Sequence, residues 1–235
     1  VRDLDDEQLM GPKLPFVNPM RWEIAHIAYF YEDFILRQLY GYESVLGDRA
    51  DQLYDSIAID HELRWDLPLL TRAETLSYMQ AVLDRLAGRL ESGMATEQDS
   101  FIYQFGIFHE DMHTEAFLWA RQALAYPTPA LAVAGDVSAE RAAGPHPGWA
   151  EVPGGEFLLG ASENAPFLFD NEKWAHPVDI EAFHIARTPV TQAQFLEFVE
   201  DGGYRRSELW NDRGWRWRQA SGAGRPVYWG RHGDA

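Results

Sequence analysis

The sequence predicts a helix bundle followed by an α+β domain. Four stretches with apolar residues at helical spacing fill the first half, at residues 18–38, 48–63, 73–91 and 97–124. After a proline-containing segment, the pattern changes to short strand-like runs and a capped helix. Amphipathic helices with modest connections are typical of bundles, and strands mixed with helices are typical of α+β domains. We therefore predict a four-helix bundle over residues 1–126, a linker over 127–148 and an α+β domain over 149–235.

Local signals mark the ends of the predicted helices. Asn18 and Pro19 favour an N-cap and a first helical residue for the first helix. Thr71 and Glu74 form a capping-box pattern before the third. The second and fourth helices are predicted from apolar periodicity alone.

The second half contains several turn and strand signals. Prolines 127, 129, 145 and 147 indicate a linker or an irregular connection. Residues 149–160 are interpreted as a hairpin that turns at Pro-Gly-Gly, and residues 183–187 as a strand. A capping box at residues 191–194 predicts a helix to Glu200 that stops at two glycines.

Composition excludes several classes of function. The formal net charge of -17 disfavours nucleic acid and anionic membrane surfaces as partners. The chain has no cysteine, which excludes disulfides, thiolate ligands and a cysteine nucleophile. No apolar run reaches the ~18 residues that span a bilayer, and no signal-peptide pattern precedes the first helix. We predict a cytoplasmic protein that acts on small molecules.

Two histidines four residues apart, His109 and His113, lie on the apolar stripe of the fourth predicted helix. Residues at i and i+4 share one helix face, so both imidazoles can point at one place. His26 lies on the inward stripe of the first predicted helix, beside Trp22 and Phe30. If these helices are neighbours, three neutral imidazoles can hold one divalent metal and leave coordination positions open, as a catalytic metal needs.

The histidine spacing also fits other interpretations. Inward-facing histidines can be core residues, although burying two on one stripe is costly unless both are satisfied. Glu110 directly follows His109, as the general-base glutamate does in zinc hydrolases, but the third ligand of those enzymes normally lies downstream, whereas His26 lies upstream. Glu32 and Glu115 are candidate acceptors for imidazole N–H groups.

Motifs in both halves resemble one enzyme family, the sulfoxide synthases of ergothioneine biosynthesis. These non-haem iron enzymes join a DinB-like four-helix bundle to a domain of the formylglycine-generating-enzyme type, with a C-type-lectin-like α+β fold. The chain contains the motifs in the family's order over nearly its whole length: residues 18–32, 109–115, 152–157, 169–173, 187–191, 195–198 and 201–204.

The resemblance implies that His26, His109 and His113 bind Fe(II). The substrates would be O2, hercynine (a histidine betaine) and a thiol donor, either cysteine or γ-glutamylcysteine. The reaction would join the sulfur to C2 of the hercynine imidazole as a sulfoxide. Arg64 and, as a second choice, Arg72 would bind carboxylates of the sulfur substrate. Three neutral ligands leave the charge of the ion uncompensated, which favours direct binding of a thiolate.

Two features depart from the family pattern. Met112 stands where some members carry a glutamine that contacts the betaine, so the substrate contacts are expected to differ. The later part of the second domain supplies a catalytic tyrosine in the family and is not within these 235 residues. No catalytic residue is therefore assigned, because Tyr204 and Tyr228 do not lie in the required motif.

Three alternatives stay open. The protein is a selenoneine synthase if its donor is a selenosugar. It is a DinB-type metal-dependent thiol transferase if it needs neither O2 nor a second domain. It is a non-catalytic module if the histidines are packed core and the second half binds a partner. The oligomeric state is not predicted.

Overall fold

The computed structural model describes residues 1–93, 96–129 and 147–230, which fall into two compact units, Val1–Gly135 and Asp136–Ala235. The first unit is helical and the second contains both strands and helices. The predicted order of a helical domain and an α+β domain is confirmed. Residues 130–146 of the predicted linker lie outside the described part of the chain, so the predicted boundaries at 126 and 149 stay predictions.

The first unit is built around one buried helix. It consists of α1 (Asp6–Met10), α2 (Met20–Phe30), α3 (Arg49–Tyr54), α4 (Arg72–Glu91) and α5 (Glu97–Ala123). Helix α2 contacts each of the other four and continues without a break into a π-helical segment, Tyr31–Arg37. Nine of its eleven residues are buried, so even its polar side chains lie in the interior.

The main hydrophobic cluster joins α2, the π-helical segment, α3 and α4. Its largest fully buried side chains include Trp22, Tyr54 and Tyr78. A second cluster packs α1 and the N-terminal residues against the C-terminal end of α5, with Leu9, Met20 and Ala120 at its centre. Burial of these apolar surfaces is the main favourable contribution to folding of the unit.

Two predicted helix starts have different outcomes. The capping box is confirmed: Thr71 and Glu74 each accept from the other's backbone N–H. Asn18 does not cap α2, because its Oδ1 accepts instead from Arg64 Nη1 at 2.8 Å. Helix α2 begins at Met20, and its N-cap position is Pro19.

The helix predicted over residues 48–63 is wrong in length. Helix α3 ends at Tyr54, and only His61–Leu63 add a short 3₁₀ turn. Asp55 takes an extended conformation, and its Oδ1 accepts from the backbone N–H groups of Ile57 and Ala58. An aspartate that binds nearby backbone N–H groups in this way competes with the helix and ends it.

The second unit contains an interrupted two-stranded ribbon. Strand β1 (Trp149–Val152) pairs with β4 (Phe183–Ala186), and β2 (Gly155–Leu159) pairs with β3 (His176–Ile180), both antiparallel. The predicted strand at residues 183–187 is confirmed. The predicted hairpin at residues 149–160 is wrong, because β1 and β2 do not pair with each other.

Pro-Gly-Gly interrupts the ribbon and does not turn it. Val152 faces Phe183 and Gly155 faces Ile180, so both ladders keep one register across a two-residue gap. Pro153 has no N–H to donate to a ladder. A Cβ on Gly154 would lie 3.0 Å from the backbone N of Ala182, so the close approach of the two arms favours glycine there.

Two helices complete the second unit, α6 (Gln192–Glu200) and α7 (Asp212–Ser221). The predicted start of α6 is confirmed by a capping box between Thr191 and Gln194, and its end by Gly202 in the left-handed conformation. Among the described helices, none is long and apolar enough to cross a membrane. Localisation in the cytoplasm stays a prediction.

Candidate metal centre

Three histidines meet inside the helical unit. His26 comes from α2, and His109 and His113 come from α5, one helical turn apart. One ring nitrogen of each lies within 4.8 Å of those of the other two. The Nε2 atoms of His109 and His113 are 3.2 Å apart. The proximity predicted from sequence is therefore present in the fold.

Hydrogen bonds orient two of the three rings. His26 Nδ1 lies 2.8 Å from the backbone oxygen of Tyr54, which can only accept, so Nδ1 carries the proton. His113 Nδ1 lies 2.7 Å from Glu23 Oε1. In both rings the Nδ1–H is used by the protein, which leaves the Nε2 lone pair free to bind a cation.

Aromatic rings hold the histidines in place. The Phe30 ring stacks on His109 with centroids 3.8 Å apart, and Trp22 stacks on His26 at 4.6 Å. Trp22 is fixed in turn by its indole N–H, which donates to the backbone oxygen of Leu53. Only His109 has a buried Nδ1 without a hydrogen-bond partner among the described residues.

Burial keeps two of the imidazoles neutral. It lowers the pKa of His26 to about 4, against a smaller opposing effect of the Tyr54 hydrogen bond. It lowers the pKa of His109 to about 3, and the neighbouring His113 and His26 add to the shift. Neutral imidazole is the form that binds a metal, so these two side chains are ready to act as ligands at neutral pH.

The arrangement fits a divalent metal ion. Imidazole nitrogens at about 2.1 Å from one ion lie roughly 3.0–3.4 Å apart, which is the separation seen between His109 and His113. Without an ion, the same two nitrogens form a hydrogen bond in which His109 Nε2–H donates to His113 Nε2, because the His113 proton is on Nδ1. Imidazole ligands suit zinc, copper, iron and nickel, so the residues alone do not select iron.

The two arginines predicted to bind substrate are engaged by the protein. The Arg64 guanidinium donates to Asn18 and to the backbone oxygens of Ser56 and Ile59, and it stacks over Trp22 at 4.0 Å. Burial lowers its pKa, and the charge of Glu23 acts in the opposite direction. Arg64 is thus joined to His26 through the Trp22 ring.

Arg72 lies in a different environment. Its guanidinium donates to the backbone oxygens of Val1, Arg2 and Leu4. These contacts tie the N-terminal segment to α4. The substrate-binding role of either arginine stays a prediction.

The acceptors predicted for the imidazoles are not the ones the fold uses. The buried Glu32 accepts from Tyr78 at 2.7 Å and also from Ser44 and the backbone N–H of Val45. Glu110, the residue in the zinc-hydrolase position, accepts from Tyr31 at 3.0 Å, and Glu115 is exposed. Sequence reasoning missed Glu23. The available signal was a lone carboxylate in the apolar run Trp22–Phe30, because such a group must be paired when buried.

Three other histidines serve local contacts or lie on the surface. His61 Nε2 is 2.6 Å from the backbone oxygen of Val17, and His176 Nδ1 is 2.9 Å from that of Trp174. His184 lies exposed on β4. His146 and His232 fall outside the described residues.

Comparisons with known proteins cover both units. A family model of the DinB superfamily matches residues 1–117, and one of the sulfatase-modifying factor enzyme 1-like domain matches residues 134–231. The chain is 37% identical over 233 residues to a hercynine oxygenase of Mycobacterium tuberculosis, covering 97% of this chain and 53% of that protein. It is 34% identical to a hercynine oxygenase of Mycolicibacterium smegmatis with the same coverage.

A shorter match concerns the second unit. Over 54 residues the chain is 43% identical to a formylglycine-generating enzyme of Mycobacterium tuberculosis, covering 23% of this chain and 17% of that protein. The chain spans about half the length of the hercynine oxygenases that it matches.

Fold and site together define a class of protein. A helical DinB-superfamily domain carries a three-histidine cluster and precedes an α+β domain of the sulfatase-modifying-factor type. Within that class, the chain belongs to the family of two-domain proteins that includes the hercynine oxygenases.

Proposed function

We propose that this chain is part of an iron- and O2-dependent sulfoxide synthase that joins a thiol to C2 of hercynine in ergothioneine biosynthesis. The observation that carries the proposal is the convergence of His26, His109 and His113, in a chain similar over 97% of its length to hercynine oxygenases. The donor is cysteine or γ-glutamylcysteine.

The overall reaction balances with O2 as the sole oxidant. A thiol RSH, the imidazole C2–H and O2 give the C–S bonded sulfoxide and one water. The sulfur and the ring carbon are oxidised, and O2 takes up the four electrons. Bound iron would supply one-electron chemistry that lets O2 react with a thiolate.

The protein's own residues would bind the ion and keep water out. His26 and His113 would present Nε2 because their Nδ1–H groups are held by Tyr54 and Glu23. Trp22 and Phe30 close one side of the cluster with aromatic rings. His109 and His113 are partly exposed, so substrate would approach from the α5 side.

Of the two predicted arginines, Arg64 fits the substrate role better. It stacks on Trp22, which stacks on His26, whereas Arg72 binds the N-terminal backbone. To bind a carboxylate, Arg64 would exchange one of its contacts to Asn18 or to the loop carbonyls. An anionic donor would then be held beside the ion by charge and by a paired hydrogen bond.

The test is the iron content and O2 uptake of the full-length protein with hercynine and each donor, with the product read by mass spectrometry. We expect one iron per chain and a C2-linked sulfoxide with one donor. His26→Ala, His109→Ala and His113→Ala should each lose iron, and His184→Ala, an exposed histidine of β4, should retain it.

Each of the three alternative functions predicts a different outcome of this experiment. Turnover with a selenosugar alone would make the protein a selenoneine synthase. A full rate without O2 would make it a thiol transferase of the DinB type. A wild-type protein that retains no metal would leave only the non-catalytic module and overturn the proposal.

A further inference from the structure

We infer that Glu23 is a positioning residue of the metal centre, which orients His113 and supplies a buried negative charge beside the cluster. The inference rests on the proposed function, in that it takes the three histidines as the metal ligands. It assigns a role to a side chain that does not itself touch the ion.

The geometry fixes one tautomer of His113. Glu23 Oε1 lies 2.7 Å from His113 Nδ1, and the side chains are 3% and 15% exposed. A carboxylate can only accept, so the proton sits on Nδ1 and the Nε2 lone pair faces His109 Nε2 at 3.2 Å. The contact joins α2 to α5 at the level of the cluster.

The three histidines differ in the group that contacts Nδ1, the ring nitrogen that would not bind the ion. His26 has a neutral backbone oxygen, that of Tyr54. His109 has no hydrogen-bond partner for its buried Nδ1 among the described residues and is held by the Phe30 ring. His113 alone has an anion. A carboxylate on the far nitrogen makes an imidazole a stronger ligand and offsets part of the charge of a divalent ion.

The surroundings of Glu23 indicate that the carboxylate is placed for a cation. Glu32, another buried carboxylate of the helical unit, accepts hydrogen bonds from three donors, Tyr78, Ser44 and Val45. Glu23 has a single hydrogen-bond partner in the described part of the chain, a histidine ring. A buried carboxylate is costly unless it is paired. The neutral imidazole and the charge of the nearby Arg64, whose guanidinium donates its hydrogen bonds to Asn18, Ser56 and Ile59, compensate part of that cost. A divalent ion on the opposite side of the same ring would compensate more of it.

The test compares two buried carboxylates, Glu23 and Glu32. The affinity for Co(II) and for Fe(II) without O2 is measured by chelator competition, and the Co(II) absorption spectrum is recorded. The melting temperature of the metal-free protein is measured alongside. Glu23→Gln keeps the shape but loses the charge and should lower affinity about 10- to 100-fold with an altered Co(II) spectrum. Glu23→Ala should lower it at least as much.

Glu32→Gln is the matched control. It should lower the melting temperature, because it disturbs three hydrogen bonds, and leave metal affinity and the Co(II) spectrum unchanged. Glu23→Gln with wild-type affinity and spectrum would overturn the inference while the proposed function stands. Equal losses of affinity in both variants would assign Glu23 a purely structural role. A wild-type protein without metal affinity would overturn both.

Discussion

Burial of uncharged imidazoles gives the helical unit a specific sensitivity to acid. The pKa of His26 lies at about 4 and that of His109 at about 3, whereas an exposed histidine ionises near 6.5. At pH values between the lowered pKa values of the folded protein and 6.5, the unfolded chain binds protons at these two histidines that the folded chain does not. Stability contributed by the two neutral rings is therefore complete above about pH 7 and is lost as the pH falls.

We expect the metal-free protein to lose free energy of unfolding between pH 7 and pH 5, on the order of 1–2 kcal/mol for each of the two histidines. Urea unfolding of chelator-treated protein at a series of pH values measures it. His109→Gln, which cannot ionise, should show a shallower loss over this range. A variant with the full wild-type slope would contradict the assignment of the loss to His109.

Some contacts between single residues of the site could be predicted from the sequence, and others could not. The pairing of His109 with His113 was predictable, because both lie on one helix and the helical repeat fixes their separation. The Glu23–His113 contact was not predictable by that route, because its two members lie on different helices, 90 positions apart. Arg64 shows the same limit, since its stacking on Trp22 depends on how a loop returns to α2.

Among the helices, the contact between the π-helical segment and α5 depends on a glycine. Gly106 is buried, one turn before His109, and a Cβ there would lie 2.6 Å from Cε1 of Tyr31. Such a distance is well inside van der Waals contact, so a methyl group must displace the Tyr31 ring. Tyr31 also donates to Glu110 of α5, which ties the ring to the same helix.

We therefore expect Gly106→Ala to destabilise the protein by about 1–3 kcal/mol, as overpacking of a filled site does. Gly88→Ala is the control, because Gly88 lies within α4 with nothing within 4 Å of its would-be Cβ. That change should stabilise by up to about 1 kcal/mol through helix propensity. Chemical denaturation measures both. Equal effects of the two substitutions would show that Tyr31 yields without cost.

Predictions for elements succeeded where local chemistry decides. The capping boxes at Thr71 and Thr191 each start a helix where the sequence places one. The predictions failed where pairing between strands that are far apart in the sequence decides the structure. Pro-Gly-Gly has the local signature of a turn, yet the pairing of residues 149–159 with 176–186 keeps the chain extended through it. The early end of α3 at Asp55 reflects a side-chain contact that overrides apolar periodicity.

At the scale of the whole molecule, buried apolar surface is unevenly divided between the two units. Both hydrophobic clusters lie within residues 1–126 and contain all the elements that carry the three histidines. In the described part of the second unit, the buried hydrophobic side chains are Leu168 and Tyr204, while Trp149, Leu158 and Ile185 are more than half exposed. Apolar burial is the main term that offsets chain entropy on folding.

This imbalance predicts different behaviour for two fragments. Residues 1–129 should unfold in one cooperative thermal transition and bind Co(II) with nearly the affinity of the longer protein, because the three histidines, Glu23 and both hydrophobic clusters are within the fragment. Residues 147–230 should show no cooperative transition, because their buried apolar surface is too small to offset the ordering of about 84 residues. Circular dichroism melts and metal titration of the two fragments measure this contrast. A cooperative transition in the second fragment would contradict this prediction, because it would require more buried apolar surface than Leu168 and Tyr204 provide. Loss of metal binding in the first would mean that residues beyond 129 hold the helices in position.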